Sequence, residues 1–190
     1  MGDSSRFTQR DSFAPANVLV MCTANRGRSP IAEAILRRKL AERGCAHVSV
    51  ESAGICVHEL GRTGMQVSKL TAEVAARHGF DLSRHRARPF DAKRFNEFDL
   101  IVVMEGWQAK ALHDVFHPHD GKVLTLRQLA GESGDPDTPD VAGVPADALD
   151  AYFVEAERCL DAALENGRLA ELISRAPSRT ASGSPTEETA

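Results

Sequence analysis

The sequence feature that most constrains the fold is a short apolar run that leads through a polar loop into an amphipathic helix. Residues 18–21 are all apolar, as expected of a strand that is buried on both faces of a parallel sheet. Cys22 ends the run, and from Ile31 onward apolar side chains recur at helical spacing. Ser29 and Pro30 suit the N-cap and the first position of this helix. The stretch therefore predicts a strand, a loop and a helix in immediate succession.

The loop between Cys22 and this helix has the features of an anion-binding site. Backbone N–H groups at a helix start, together with the helix dipole, favour a bound anion. Arg28 adds a guanidinium that can pair with two phosphate oxygens. A cysteine in this positive potential is expected to be a thiolate at neutral pH, placed for in-line attack on phosphorus. Ser29 can donate its hydroxyl to that thiolate, and Asn25 can brace the loop.

Each of these residues alone has an ordinary explanation. An isolated cysteine after an apolar strand is usually a small core residue, and an isolated arginine near a helix start is usually a solvated charge. The combination Cys-x5-Arg-Ser-Pro, between a strand and an amphipathic helix, is much rarer by chance and favours nucleophilic catalysis. It is not a nucleotide-binding P-loop, because the pattern GxxxxGK[ST] and its lysine are absent.

The loop resembles that of the low-molecular-weight protein tyrosine phosphatase family. The family loop is usually written V-C-x-G-N-x-C-R-S-P, and here it reads M-C-T-A-N-R-G-R-S-P. The resemblance continues in residues 52–54 (Ser-Ala-Gly), 85–88 (His-Arg-Ala-Arg) and 99–105 (Asp-Leu-Ile-Val-Val-Met-Glu), and it covers about residues 16–165. It implies a phosphomonoester hydrolase that acts through a phosphocysteine intermediate on a phosphotyrosine protein or a small aryl phosphate.

The resemblance also implies roles for individual residues. Cys22 is the expected nucleophile, and Arg28 is expected to hold the phosphoryl group. Ser52 and His85 are expected to form hydrogen bonds behind the loop. The other expected phosphate-binding loop residues are Thr23, Ala24, Asn25, Arg26, Gly27 and Ser29.

A second stretch, residues 127–147, is expected to supply an acid. Its density of Pro, Gly and Asp predicts a long loop, and long loops in compact domains are often functional. Transfer of a phosphoryl group to a thiolate leaves an oxygen that needs a proton. The aspartates available are Asp135, Asp137, Asp140 and Asp147. Residues 137–143 match the family pattern D-x-P-D-P-x-G except at Val141, so Asp140 is the predicted acid. Asp135 keeps an Asp-Pro dipeptide and is the alternative.

Three departures from the family pattern bear on activity. Gly27 replaces the second loop cysteine, so the disulfide that protects the nucleophile should be missing. Ala24 replaces a glycine, which would tighten the backbone if φ near Thr23 were positive. The aromatic walls of a phosphotyrosine slot are not evident, because Val141 and Ala142 follow the predicted acid and His58 is the only ring in residues 55–64.

The predicted fold class is α/β, a four-stranded parallel sheet with helices on both faces and the Cys22 loop at a strand's C-terminal end. The resemblance implies the flavodoxin-like strand order 2-1-3-4. Residues 1–15 are expected to be a flexible lead, residues 16–173 a single domain and residues 174–190 a disordered tail.

Composition excludes several classes of protein. The formal net charge of −4 argues against a general binder of nucleic acid or of anionic membranes, and no apolar run approaches a membrane span. The four cysteines form no CxxC pair, and the N-terminus has no signal-peptide core, so a cytoplasmic protein is predicted. We expect no cofactor and no metal, and we interpret His113, His117 and His119 as a solvated helix end.

Two other functions remain open at the level of sequence. Thioredoxin-linked arsenate reductases share the Cys-x5-Arg loop, but they need two further cysteines close together, and no such pair follows Cys22. A non-catalytic phosphate- or phosphoprotein-binding module would need only the loop amides and Arg28. Turnover of a phosphate ester would eliminate the binding module.

Overall fold

The computed structural model describes residues 16–45, 47–119 and 121–175. The predicted flexible lead, residues 1–15, and residues 176–190 of the predicted tail lie outside the described residues. The strands are β1 (Ala16–Cys22), β2 (Val48–Gly54), β3 (Leu100–Val103) and β4 (Val123–Thr125). The α-helices are α1 (Arg28–Glu42), α2 (Lys69–Arg77), α3 (Gly106–Phe116), α4 (Leu126–Leu129), α5 (Ala146–Glu165) and α6 (Arg168–Arg175). A 3-10 helix spans Ala92–Glu97.

The four strands form one parallel sheet in the order β2-β1-β3-β4, which confirms the predicted fold class and strand order. Strand β1 lies in the middle, where Val18 pairs with Val50 of β2 and with Leu100 of β3. Every residue of β3 is buried, as the continuous apolar run predicts for a central strand. Because the strands are parallel, the C-terminal ends of β1 and β3 lie at the same edge of the sheet.

Alternate side chains of β1 point into two cores on opposite faces of the sheet. Val18, Val20 and Cys22 join the core that contains residues of α1 and α5. Leu19 and Met21 join the other core, which contains residues of α3 and of the 3-10 helix. The position of Cys22 at the end of this alternation turns its side chain toward the start of α1. No helix in the described part of the chain is long and apolar enough to cross a membrane.

Three boundaries differ from the sequence predictions. Helix α1 begins at Arg28 with Gly27 as its N-cap, so Ser29 does not cap the helix and its hydroxyl is free to contact Cys22. Helix α4 takes up residues 127–129, and the long loop therefore runs only from residue 130 to α5. Helix α6 extends to Arg175 and so includes residues 174 and 175, where the sequence predicts the start of the disordered tail.

Candidate active site

The Cys22 side chain lies inside the loop that connects β1 to α1, residues 22–28, named here the Cys22 loop. Its Sγ lies 3.0 Å from Ser29 Oγ, and the backbone N–H of Asn25 points at Sγ with an N–S distance of 3.3 Å. The Cys22 residue is only 4% exposed. A thiolate here would accept hydrogen bonds from both groups, at the positive end of α1.

Asn25 holds the Cys22 loop in shape through its side chain. It adopts the left-handed conformation, with φ of 52°, which asparagine tolerates better than most residues. Its Nδ2 donates to Ser29 Oγ at 3.0 Å and to Ser52 Oγ at 2.9 Å, and its Oδ1 accepts from Arg88 N at 3.0 Å. The Asn25 side chain is fully buried, so these bonds satisfy polar groups that have no access to water.

Ser52 and His85 lie behind the Cys22 loop. Ser52 Oγ donates to Glu33 Oε2 at 2.5 Å, which leaves the hydroxyl oxygen to accept from Asn25. His85 Nε2 lies 2.8 Å from the backbone oxygen of Asn25. A carbonyl oxygen can only accept, so Nε2 carries the proton. Burial lowers the pKa of His85, and the charges of Arg88 and Arg86 lower it further, against the opposing effects of the Asn25 carbonyl and Glu33.

The lowered pKa of His85 predicts a pH-dependent stability. The unfolded chain binds a proton at this residue below about pH 6.5, whereas the folded chain resists it, so the free energy of unfolding should fall as the pH drops through that value toward the folded pKa. His85→Gln keeps an N–H donor but does not titrate. We expect this variant to lose about 1 kcal/mol or less at pH 7.5 and to lose less stability than the wild type on acidification.

Urea unfolding at pH 7.5 and pH 5.5 measures this difference. Carboxylates titrate in the same range in both proteins, so only the difference between the two slopes reports on His85. Equal slopes for wild type and His85→Gln would contradict the prediction.

Arg28 connects the Cys22 loop to two other segments. Its guanidinium donates through Nη1 to the Thr138 oxygen at 3.1 Å, and its Nη2 lies 3.2 Å from Glu105 Oε2 and 3.2 Å from Asp140 Oδ1. Burial by itself would lower the pKa of Arg28, but the hydrogen bond and charge of Glu105, with the charges of Cys22 and Asp140, raise it above its ordinary value. The guanidinium is therefore a fixed positive charge at the mouth of the Cys22 loop.

The four candidate aspartates have different surroundings. Asp140 is 61% exposed at its side chain and contacts Arg28. Asp135 is 74% exposed, accepts from the backbone N–H of Asp137 at 3.0 Å and lies 3.9 Å from Arg127. Asp137 accepts from the Gly106 backbone N–H, the first residue of α3, at 2.6 Å. Asp147 lies in the first turn of α5. The structure thus brings Asp140, and not the alternative Asp135, to the Cys22 loop. Its role as the acid stays a prediction.

Sequence reasoning assigned no role to Glu105 and Gln108, and both contact the site. Glu105 Oε2 accepts from Arg28, from Gln108 Nε2 at 2.8 Å and from Trp107 Nε1 at 2.9 Å. Gln108 Nε2 also lies 3.3 Å from Thr23 Oγ1 in the Cys22 loop. The available signal was position: Glu105 follows β3 directly, and the ends of neighbouring parallel strands meet at one edge of the sheet.

Tyr152 lies in α5, where the apolar residues recur at the helical spacing of a core-facing stripe. Its hydroxyl lies 3.0 Å from the Arg28 backbone oxygen, to which it donates, and it is buried among the residues of the larger core. Burial raises the pKa of Tyr152 well above its usual range, and the negative charge of Cys22 adds to the effect. The neutral phenol therefore supports the first turn of α1 from within the core.

Comparison with known proteins matches this chain over residues 17–166 to the family model described as low molecular weight phosphotyrosine protein phosphatase. The chain belongs to this family. It is 34% identical over 121 residues to the low-molecular-weight protein-tyrosine-phosphatase Etp of Escherichia coli K12, covering 64% of this chain and 76% of the relative.

Solved structures of the phosphatase family share the fold. The low-molecular-weight protein tyrosine phosphatase from T. tengcongensis superposes with a TM-score of 0.71 at 27% identity, covering 80% of this chain and 99% of that one. The YwlE arginine phosphatase from Geobacillus stearothermophilus superposes with a TM-score of 0.68 at 25% identity, covering 83% and 96%. The chain is accordingly a cysteine-dependent phosphatase, a phosphoric monoester hydrolase.

The two loop departures from the family pattern fit the structure of this phosphatase. Within the described residues, the non-glycine residues with positive φ are Asn25 and His117, so Ala24 needs no left-handed conformation and causes no strain of that kind. Gly27 is different: a Cβ built there would lie 2.9 Å from Val141 Cγ2. Gly27 and Val141, both departures from the family pattern, therefore fit each other, and the Val141 side chain occupies space that a side chain at position 27 would need.

Arg26 donates through Nε to the Gln66 oxygen at 2.7 Å, which ties the loop to the chain preceding α2.

The close approach of Val141 to position 27 predicts that Gly27→Ala lowers activity. The added methyl would push Val141, and with it the adjacent Asp140, away from the Cys22 loop. Overpacking typically costs 1–3 kcal/mol, so we expect kcat/KM for an aryl phosphate to fall by roughly tenfold. The double variant Gly27→Ala/Val141→Ala removes the clash and should recover most of the loss. Steady-state kinetics on the three proteins test this, and a double variant no better than Gly27→Ala would contradict it.

Proposed function

We propose that this phosphatase hydrolyses phosphotyrosine in proteins, with Cys22 as the nucleophile, Arg28 as the phosphoryl-binding cation and Asp140 as the general acid and base. The observation that supports these roles is the contact of Arg28 with Asp140, at 3.2 Å, at the mouth of the loop that encloses Cys22. This contact brings a partly exposed carboxyl group to the cation of the loop that contains Cys22.

In the first step, the Cys22 thiolate attacks phosphorus and forms a P–S bond while the P–O bond to the leaving group breaks. Loop N–H groups and the Arg28 guanidinium stabilise the charge on the phosphoryl oxygens. The protonated Asp140 carboxyl gives its proton to the leaving oxygen, so that an alcohol and not an alkoxide departs. Glu105 holds the guanidinium in place throughout, because it accepts from the same Nη2.

In the second step, a water molecule attacks the phosphocysteine. Asp140, now a carboxylate, takes a proton from that water, and the P–S bond breaks to release phosphate and the thiolate. The Ser29 hydroxyl, 3.0 Å from Sγ, stabilises the departing sulfur by donating to it. The cycle returns both groups to their starting states.

The test is hydrolysis of a phosphotyrosine peptide, with phosphoserine and phosphoarginine peptides of the same sequence beside it, all in excess chelator. We expect turnover of the phosphotyrosine peptide, and we expect it to persist in the chelator because the loop and Arg28 supply the charge stabilisation. The phosphoarginine arm is included because an arginine phosphatase shares the fold. Binding of phosphate without any turnover would overturn the proposal in favour of a phosphate- or phosphoprotein-binding module.

The other cysteines fit an arsenate reductase poorly. Cys159 is buried, and burial raises the pKa of its thiol to about 11, which keeps it protonated and unreactive. Cys45 and Cys56 are free thiols, and the raised pKa of Cys56, caused by burial and by Glu59, also disfavours its thiolate. We place the enzyme in the cytoplasm, where reducing conditions keep a catalytic thiol active without a protective disulfide.

A further inference from the structure

The geometry points to Trp107 as the residue that binds the aromatic ring of the substrate, an inference that rests on the proposed phosphatase function. Trp107 would form the aromatic wall that is not evident in the sequence at Val141 or in residues 55–64. Trp107 is the second residue of α3, which begins just after the C-terminal end of β3. Because β1 and β3 pair in parallel, this is the edge of the sheet where Cys22 lies.

A hydrogen bond fixes the indole close to the phosphate-binding cation. Trp107 Nε1 donates to Glu105 Oε2 at 2.9 Å, and the same oxygen lies 3.2 Å from Arg28 Nη2. The indole and the guanidinium therefore contact the same carboxylate oxygen, which keeps them close together. When Arg28 holds the phosphate of an aryl ester, the aryl ring would project out of the Cys22 loop, close enough to contact this indole.

Trp107 is exposed although its only polar group is already bonded. Its exposed fraction is 45%, and it is the aromatic member of the large apolar side chains that are exposed in the described part of the chain. The hydrogen bond to Glu105 restricts the orientation of the indole before any ligand arrives, so little additional order is lost on stacking. Its exposed face is suited to stacking against an aryl group, an arrangement that aromatic pairs favour.

Asp140, the predicted acid, lies in a segment that is hydrogen-bonded to the start of α3, the helix that carries Trp107. The Gly106 N–H, next to Trp107, donates to Asp137 Oδ1, and the Thr138 N–H donates to the Met104 oxygen at 2.9 Å. These bonds hold the segment that carries Asp140 against the start of α3. The ring on the ester oxygen that Asp140 protonates would therefore leave the loop on the side where α3 begins and Trp107 is exposed. Val141 cannot serve as this wall, because its side chain faces Gly27.

The chain contains one tryptophan, so its fluorescence reports on this residue alone. Titrating the wild type with benzylphosphonate, a non-hydrolysable aryl ligand, should change the emission, whereas saturating inorganic phosphate should leave it nearly unchanged. Displacement of benzylphosphonate by phosphate shows that the two ligands share the loop. Binding of benzylphosphonate with no change of emission would overturn the inference, and it would do so whether or not the protein turns over substrate.

Kinetics separate ring binding from support of Arg28. Trp107→Ala should raise KM for an aryl phosphate by roughly tenfold and change the inhibition constant of inorganic phosphate less than twofold, and Trp107→Phe should recover most of the loss because it restores a ring but not the N–H. Val115→Ala, at an exposed position on the same helix, is the matched control and should change neither constant.

Equal increases of both constants in Trp107→Ala would show that Trp107 acts only through Glu105, and would overturn the inference. Absence of turnover in wild type would instead refute the proposed function.

Discussion

Replacing Cys22 with serine is expected to lower kcat for an aryl phosphate by a factor on the order of 10⁴ or more, the scale seen when an enzyme loses its nucleophile. A serine hydroxyl has almost the size of the thiol but is not ionised at neutral pH, and the groups that contact Sγ, the Ser29 hydroxyl and the Asn25 N–H, are not general bases that could activate it. The contacts that Sγ receives from Ser29 and from the Asn25 N–H stabilise a thiolate and cannot create an alkoxide.

Phosphate binding is the control for Cys22→Ser. Arg28, the loop N–H groups and the Asn25 network all remain in this variant, so its affinity for inorganic phosphate should stay close to that of the wild type. Calorimetry or competition against an aryl phosphonate gives that affinity. A variant that binds phosphate and still turns over at more than about a hundredth of the wild-type rate would contradict the role of Cys22 as nucleophile.

Replacing Asp140 with asparagine is expected to lower kcat by 10²- to 10⁴-fold, the usual contribution of a general acid. Asparagine keeps the shape of the carboxyl group but cannot donate a proton to the leaving oxygen. The loss should be greatest for esters of poorly acidic alcohols, which most need that proton, and smallest for an ester whose leaving group is stable as an anion. Rates measured across a series of substituted aryl phosphates give this dependence.

Asp135→Asn is the matched control for Asp140→Asn. It makes the same chemical change in the same loop, at a residue whose partners are Arg127 and the Asp137 N–H rather than Arg28. We expect its kcat to stay within about threefold of wild type, since surface charge contacts of this kind contribute little. A large loss in Asp135→Asn together with a small loss in Asp140→Asn would move the acid role to Asp135.

The fold could be predicted because its signals are local. The apolar runs of β1 and β3 carry the signature of strands buried on both faces, and the apolar spacing of α1 and α5 shows which faces of these helices meet the sheet. The error at Ser29 has a physical cause. A serine before a proline at a helix start suits an N-cap, but the helix begins two residues earlier than predicted and the hydroxyl bonds to Cys22 and Asn25 instead. Local capping preference could not reveal that tertiary contact.

The contacts between distant segments could not be predicted in the same way. The position of Glu105 directly after β3 indicates that it lies near the Cys22 loop, but not that it accepts from Arg28, from Gln108 and from Trp107, because those bonds depend on how α3 leaves the sheet. The same holds for Tyr152, which has the spacing of an ordinary core residue and yet donates to the Arg28 backbone oxygen. Hydrogen bonds of this kind join residues far apart in sequence, where no periodicity relates them.

The sequence by itself determined the fold class, the strand order through its family resemblance, and the loop in which Cys22, Arg28 and Ser29 come together, since all three lie within eight consecutive residues. Only the tertiary structure decided which aspartate faces that loop, why Gly27 stands where the family has a cysteine, and which aromatic residue lies beside the phosphate-binding cation. Asp140, Val141 and Trp107 reach the site from segments about eighty to more than a hundred residues away along the chain. Their positions follow from the parallel sheet, which gathers the ends of its central strands at one edge, and from hydrogen bonds that hold the acid-bearing segment against α3.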